Sequence, residues 1–305
     1  MLSPLTGARW GLLGVLAFSF TVPLTRIAVG GLAPLFIGSA RAVVAAVLAA
    51  SALALTRRPW PTARQWPRLA VVAAGVVVGF PMLTSYALTT APASHAAVVI
   101  GVLPAATAVM AVLRGRERPG RSFWVFAGLG AVTAVAFGSV QNDGFGHLHG
   151  SDALLLGAVL TGAVGYAEGG LLARELGSWP TVSWALVVAA PVMVAGTALS
   201  VCQQPPSATP VQWLAFAYLG VVSMFLGFFA WYRGLAIGPI SQVSQVQLVQ
   251  PVLTVTWAAL LLHEPLGWAT VLGGLAVIGC AALAVRTRLA SRSSGRRGLV
   301  EPDPD

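Results

Sequence analysis

Ten times along its length the chain runs for about 20 residues with almost no charge, long enough to cross ~30 Å of hydrocarbon as a helix. The predicted spans are 10–29, 34–55, 68–89, 93–113, 122–140, 153–173, 182–202, 212–233, 240–262 and 266–286. Inside lipid each segment must satisfy its own backbone hydrogen bonds, which helices do and open strands do not. The expected fold class is therefore an all-α polytopic membrane protein with ten transmembrane helices. Composition agrees: 57% of the 305 residues are apolar and 9% are charged, against about 25% charged in soluble domains. A secretory signal is the competing reading of the first run. That run lacks a small-residue cleavage site and matches its neighbours in length, so it is taken as a true span.

All 18 basic residues are arginine, and the sequence contains no lysine. A P-loop needs a lysine on its phosphates and a Schiff-base enzyme needs a lysine amine, so both classes are excluded. The net charge of +9 does not mark a nucleic-acid binder, because the arginines fall in short loops between apolar runs. They cluster at 56–68, 114–121, 173–179 and after 286, while the alternate loops carry none. By the positive-inside rule both termini are cytoplasmic, in a multi-pass protein of the cell inner (plasma) membrane. Cys202 and Cys280 have no metal-ligand spacing, and no cofactor or metal is expected. The Arg- and Ser-rich tail 287–305 is too polar to build a core and reads as disordered.

Self-comparison reveals a repeat. At a constant shift of 147 residues, Gln65 and Trp66 return as Gln212 and Trp213, and Pro92 and Ser94 as Pro239 and Ser241. Pro104, Thr107 and Glu117 return as Pro251, Thr254 and Glu264. The ten spans thus divide into two fives, residues 8–140 and 152–286. Five is odd, so the second copy enters the membrane from the opposite side, the inverted repeat of secondary transporters.

With these features the chain resembles the EamA-domain branch of the drug/metabolite transporter superfamily. The stretches that carry the resemblance are "ASHAAVVIGVLPAATAVMAVLRGRE" (93–117) and its repeat "ISQVSQVQLVQPVLTVTWAALLLHEP" (240–265), with Arg26 and Arg41 matching basic positions of the first two helices. The sequence departs from the family in "FSF" (18–20), where Trp-Gly is common, and in the density of glutamines in the ninth span. The resemblance implies transport, with the fourth and ninth helices lining a central cavity, and leaves the substrate open.

Gln242, Gln245, Gln247 and Gln250 crowd the first half of the ninth span, together with Ser241 and Ser244. In a regular helix, Gln242, Gln245 and Gln250 share an arc of roughly 140°, with Gln247 beyond it. An unpaired amide in hydrocarbon costs several kcal/mol, so this helix is expected to be central. The four glutamines are candidate substrate contacts, with His95 at the mouth of the fourth span as a fifth. Helix glue is the competing role for any one of them. Pro104 and Pro251 lie near mid-membrane, where each removes a backbone hydrogen bond, and are candidate hinges. Glu168 is the acid deepest within a span and the candidate for proton coupling, the alternative being an interfacial pair with Arg174. Arg26 and Arg41 are expected to snorkel to the outer face. Gly165, Gly169 and Gly170 are expected to let another backbone come close, and His147 and His149 to stay in a loop without a role.

The function expected is a secondary transporter, working as an exporter, of a small polar or amphipathic metabolite. It moves its substrate by alternating access within the lipid bilayer, with protons as a candidate partner. The alternatives are a channel, a structural subunit, or an exchanger without ion coupling. An enzyme is not expected: "HEP" at 263–265 is not a zinc-protease motif, and no nucleophile–base set lies at membrane depth. Substrate identity and oligomeric state are left open.

Overall fold

The computed structural model describes residues 4–115 and 150–264 continuously, with isolated positions between 121 and 132 and at 268 and 272. Every element among the described residues is helical. Eight helices are long and apolar enough to cross a membrane: α1 (Thr6–Ala28), α2 (Pro34–Leu55), α3 (Trp66–Ala87), α4 (Ala93–Arg114), α5 (Gly150–Leu176), α6 (Ser178–Gln203), α7 (Pro210–Ile237) and α8 (Ile240–Leu262). They are the first four and the sixth to ninth predicted spans. The fifth and tenth, 122–140 and 266–286, lie outside the described residues apart from the isolated positions. So do Glu117, His147, His149, Cys280 and the tail.

Local chemistry sets the helix ends. At α7, Thr209 closes a capping box: its hydroxyl accepts from the Gln212 N–H at 3.4 Å, and the Gln212 amide oxygen accepts from the Thr209 N–H at 2.8 Å, satisfying two of the orphan donors. Between α5 and α6 a single residue turns the chain. Gly177 adopts φ 90°, which glycine reaches without strain.

Helices meet closely where side chains vanish. A Cβ on Gly75 of α3 would stand 2.5 Å from the Thr161 carbonyl of α5, and Gly165 of α5 lies against Val76. Gly169 and Gly170 likewise press on Tyr232 of α7 and Ile240 of α8. Small residues at crossings are how helices associate where lipid is as apolar as leucine. Large apolar side chains such as Val47, Leu160, Val192 and Leu214 point outward, as a lipid-facing surface requires.

Five of the helices are interrupted, α1 at Phe20 between its Ser19 and Thr21 segments. α3 and α7 each widen to a π-helix, over Ala73–Gly79 and Leu219–Leu226. α4 breaks at Gly101 and Val102 before restarting at Leu103, and α8 tightens to a 3₁₀-helix over Ser244–Val249 before restarting at Gln250. The restarts at Leu103 and Gln250 are 147 residues apart, the sequence-repeat spacing, and the π-segments match within a residue.

Polar contacts define the two ends. At the arginine-rich end, the start of α3 and the end of α4 reach the last turns of α5 through Arg68 and Arg114. Arg174 of α5 donates to the Leu235 and Gly238 carbonyls at the end of α7. At the opposite end, Arg26 near the end of α1 donates to the Leu88 and Thr89 carbonyls after α3. There also the Glu264 carboxylate, just past α8, accepts from the Ala93 and Ser94 N–H groups that open α4.

Candidate functional site

The glutamines of α8 lie where its backbone is 3₁₀ rather than α, and this regroups them. In a 3₁₀-helix residues three apart eclipse, so Gln247 comes into line with Gln250, and its Nε2 donates to Gln250 Oε1 at 3.2 Å. Gln245 turns instead toward α4, where its Nε2 donates to the Pro104 carbonyl at 3.4 Å. Gln242 remains half-buried near the arginine-rich end. The arc expected to hold Gln242, Gln245 and Gln250 assumed regular α geometry and does not form. All three deeper glutamines are buried, and α8 packs on α1 and α4, so it is central.

Gln247 and Gln250 line a small cavity with Pro251, Thr254, Val22, Ala97 and Ile100, between α8, α1 and α4. It has room for about one water-sized group, well short of the ~300–1,000 Å³ of a ligand pocket. The Oε1 atoms of Gln245 and Gln247 are buried without partners. At the cavity the Gln247 and Gln250 amides together offer both donors and acceptors and no fixed charge.

One wall of this region is built on a freed carbonyl. Pro23 has no N–H to give the Ser19 carbonyl one turn earlier, and α1 is disturbed at Phe20. Thr254 takes up that carbonyl, its hydroxyl donating at 2.9 Å, while Trp257 Nε1 donates to Ser19 Oγ at 3.0 Å. Trp257 also stacks on Phe20, centroids 4.4 Å apart. Thr254, Ser19 and Trp257 were not singled out from sequence as site residues. The signal lay in Pro23 and in the Thr107/Thr254 repeat pair.

Glu168, 2% exposed, is held by two guanidiniums. Arg68 Nε donates to one carboxylate oxygen, and Arg114 donates to the other through Nη2 at 2.8 Å and Nε at 3.1 Å. Arg68 also bridges to the exposed Glu175 at 2.5 Å. The alternative pair with Arg174 is not the arrangement seen, since that guanidinium serves the carbonyls after α7. Eighteen residues into α5, Glu168 is about 27 Å along its helix and clear of the cavity.

His95 does not reach the cavity. Its Nε2 lies 2.5 Å from Asp152 Oδ1 at the start of α5, beside the Glu264 cap. Pro104 and Pro251 stand at the restarts of α4 and α8. Arg26 meets carbonyls at its helix end. Arg41 does not snorkel: it is 1% exposed inside the bundle. Arg68, Arg114 and Asp152 escaped the sequence reading because their partners lie 100, 54 and 57 residues away.

An all-helical bundle of membrane-spanning length, with neutral amides at a small cavity and ionic contacts at its ends, defines a polytopic membrane protein with an internal polar site. The chain belongs to the EamA-like transporter family, whose profile matches residues 5–138 and 150–286. It is 44% identical to the uncharacterized transporter YdeK of Bacillus subtilis, over 90% of this chain and 96% of that protein. It is 27% identical to a probable terminal-alkyne amino-acid exporter of Streptantibioticus cattleyicolor, over 96% of this chain and 99% of the relative. A crystal structure with 19% sequence identity shares the fold at a TM-score of 0.73, covering 92% of this chain and 98% of the other. Family and relatives are transporters, not enzymes.

Proposed function

We propose that the chain is a ten-helix secondary carrier built from two five-helix repeats of opposite orientation, residues 8–140 and 152–286. It exports a small polar or amphipathic metabolite by alternating access through the cavity between α1, α4 and α8. The observation that carries this reading is the cavity's position on two helix restarts 147 residues apart. A carrier built on a repeat is expected to place its site where corresponding broken helices meet. The two separate family matches support the repeat. Its inversion is supported by the ends that meet, since α1, α3 and α8 finish together where α4 and α5 begin.

In this reading Gln247 and Gln250 hold the substrate, with Gln245 and Gln242 supporting them along α8, and Pro104 and Pro251 are the hinges. The arginine-rich end faces the cytoplasm of the plasma membrane. There Glu168, with Arg68 and Arg114, closes the inner side, and a proton on Glu168 would release both guanidiniums at once. His95, Asp152 and Glu264 close the outer side. An amino-acid-like substrate and outward direction are supported by the name of the Streptantibioticus relative.

The test is counterflow. Purified protein in liposomes preloaded with one unlabelled solute is offered the labelled form, across amino acids, sugars, nucleosides and amines. Transient accumulation of at least one solute, lost in a Gln247→Ala, Gln250→Ala double variant that still folds, is expected. Accumulation that survives the double variant would move the site elsewhere. Steady leak without overshoot would mark a channel.

A further inference from the structure

Three charged side chains are buried among the described residues. Asp152 meets His95 and Glu168 meets Arg68 and Arg114. The third is Arg41, 1% exposed, whose Nε and Nη2 are buried without any hydrogen-bond partner. Those two nitrogens form one edge of the guanidinium, the edge that grips a carboxylate side-on with two parallel hydrogen bonds. Arg114 turns the same edge on Glu168, where both nitrogens meet one carboxylate oxygen. Arginine does not escape the cost of burial by shedding its proton. A cation at membrane depth with no counter-group is a functional site by default.

The helix geometry gives the direction of this edge. On α2, Gly38 lies against Met82 of α3, Val44 against Gly220 of α7, and Ser39 against Gly196 of α6. At 100° per residue, Arg41 falls midway between the directions of Gly38 and Val44. It therefore points into the seam between α3 and α7, away from α6. Across that seam α1 packs on both helices, and its Thr21 hydroxyl meets the Ser223 hydroxyl of α7 at 2.7 Å. Val22, next to Thr21, lines the amide cavity.

We propose that Arg41 is an anion-recognition site that receives the carboxylate of the transported solute, so that the substrate class is carboxylate-bearing small molecules. The proposal rests on the carrier reading. A planar carboxylate satisfies Nε and Nη2 together and neutralises the buried charge. The amides of α8 supply neutral donors and acceptors for the rest of the solute. Lysine could provide the charge but not the two-point edge.

The test is thermal stability and equilibrium binding of the purified full chain with neutral L-amino acids, each beside its carboxamide, and with sodium chloride. The wild type is expected to be stabilised by at least one amino acid and at least tenfold less by its amide. Arg41→Gln should melt no lower than wild type without ligand, having lost an unpaired buried charge, and should bind the amino acid about 10- to 100-fold more weakly. Arg41→Lys should fall between the two. Equal binding of acid and amide overturns the proposal, as does unchanged affinity in Arg41→Gln. Stabilisation by chloride that abolishes the amino-acid response marks a small-anion site and overturns the carboxylate assignment. If no amino acid binds but sugars, nucleosides or amines show counterflow, the carrier reading stands and the Arg41 proposal falls. If no solute shows counterflow, the carrier reading itself has failed.

Discussion

Glu168 shows how the surroundings of a residue decide its worth. A carboxylate at 2% exposure is tolerable only because two guanidiniums surround it, and removing one side of a buried ion pair costs about 3–5 kcal/mol. Glu168→Ala should therefore lower the melting temperature sharply, while loss of the exposed Glu175 should cost under about 1 kcal/mol. Glu168→Gln keeps shape and some hydrogen bonding. In proteoliposomes it should abolish accumulation driven by a pH gradient and leave solute exchange largely intact, and continued concentration under that gradient would remove Glu168 from coupling. The glutamines divide in the same manner. Gln247→Ala and Gln250→Ala should weaken solute binding with little change in stability, whereas Gln245→Ala, which strips a bond from the Pro104 carbonyl, should act mainly on stability. Equal binding losses for all three, measured by titration, would contradict the 3₁₀ grouping.

The candidate site lies on broken helices, and the break in α1 has a chemical cause. Pro23 frees the Ser19 carbonyl and Thr254 claims it. Thr254→Val should leave that carbonyl unpaired and cost about 1–3 kcal/mol, while Thr254→Ser should recover most of it. Pro104→Ala and Pro251→Ala restore an N–H to each restart. If the restarts are hinges, both variants should slow turnover several-fold with solute affinity nearly unchanged, whereas a shift in affinity without loss of rate would make them cavity walls only. At this scale the sequence was partly legible. Hydropathy gave the eight described helices within a few residues, because a span must be long and apolar whatever its neighbours are. The 3₁₀ stretch Ser244–Val249 was not legible. Nothing local in "SQVQLV" forbids α geometry, and what holds it is contact with α4 and α1. The Arg68–Glu168–Arg114 cluster was hidden for a related reason: pairing across 100 residues leaves no periodic trace in the sequence. Arg41 was misplaced because depth along a helix suggested snorkelling, whereas the packing of α2 against α3, α6 and α7 turned it inward.

For the whole molecule, the proposed orientation rests on the positions of the charges and the pairing of the helix ends. The arginine-rich end gathers Arg68, Arg114 and Arg174, and the loop after α2 adds Arg57, Arg58 and Arg64. The opposite end gathers His95, Asp152 and Glu264. Such asymmetry is what orients a polytopic protein during insertion. A variant with Cys202 and Cys280 replaced by serine gives a silent background for a topological test. Single cysteines at Thr90 and Ser207, both exposed at the end where α4 and α7 begin, should react with an impermeant maleimide on intact cells. A cysteine at the exposed Thr62, in the loop before α3, should react only after permeabilisation. Labelling of Thr62→Cys from outside, with Ser207→Cys protected, would reverse the orientation. It would place the Glu168 cluster on the outside and leave the helix pairing untouched. Labelling of Thr90→Cys and Ser207→Cys from different sides would break the pairing itself, because one end of the bundle holds the turns after both α3 and α6. Since the two loops belong to different repeats, their common side is also what an inverted relation between residues 8–140 and 152–286 requires.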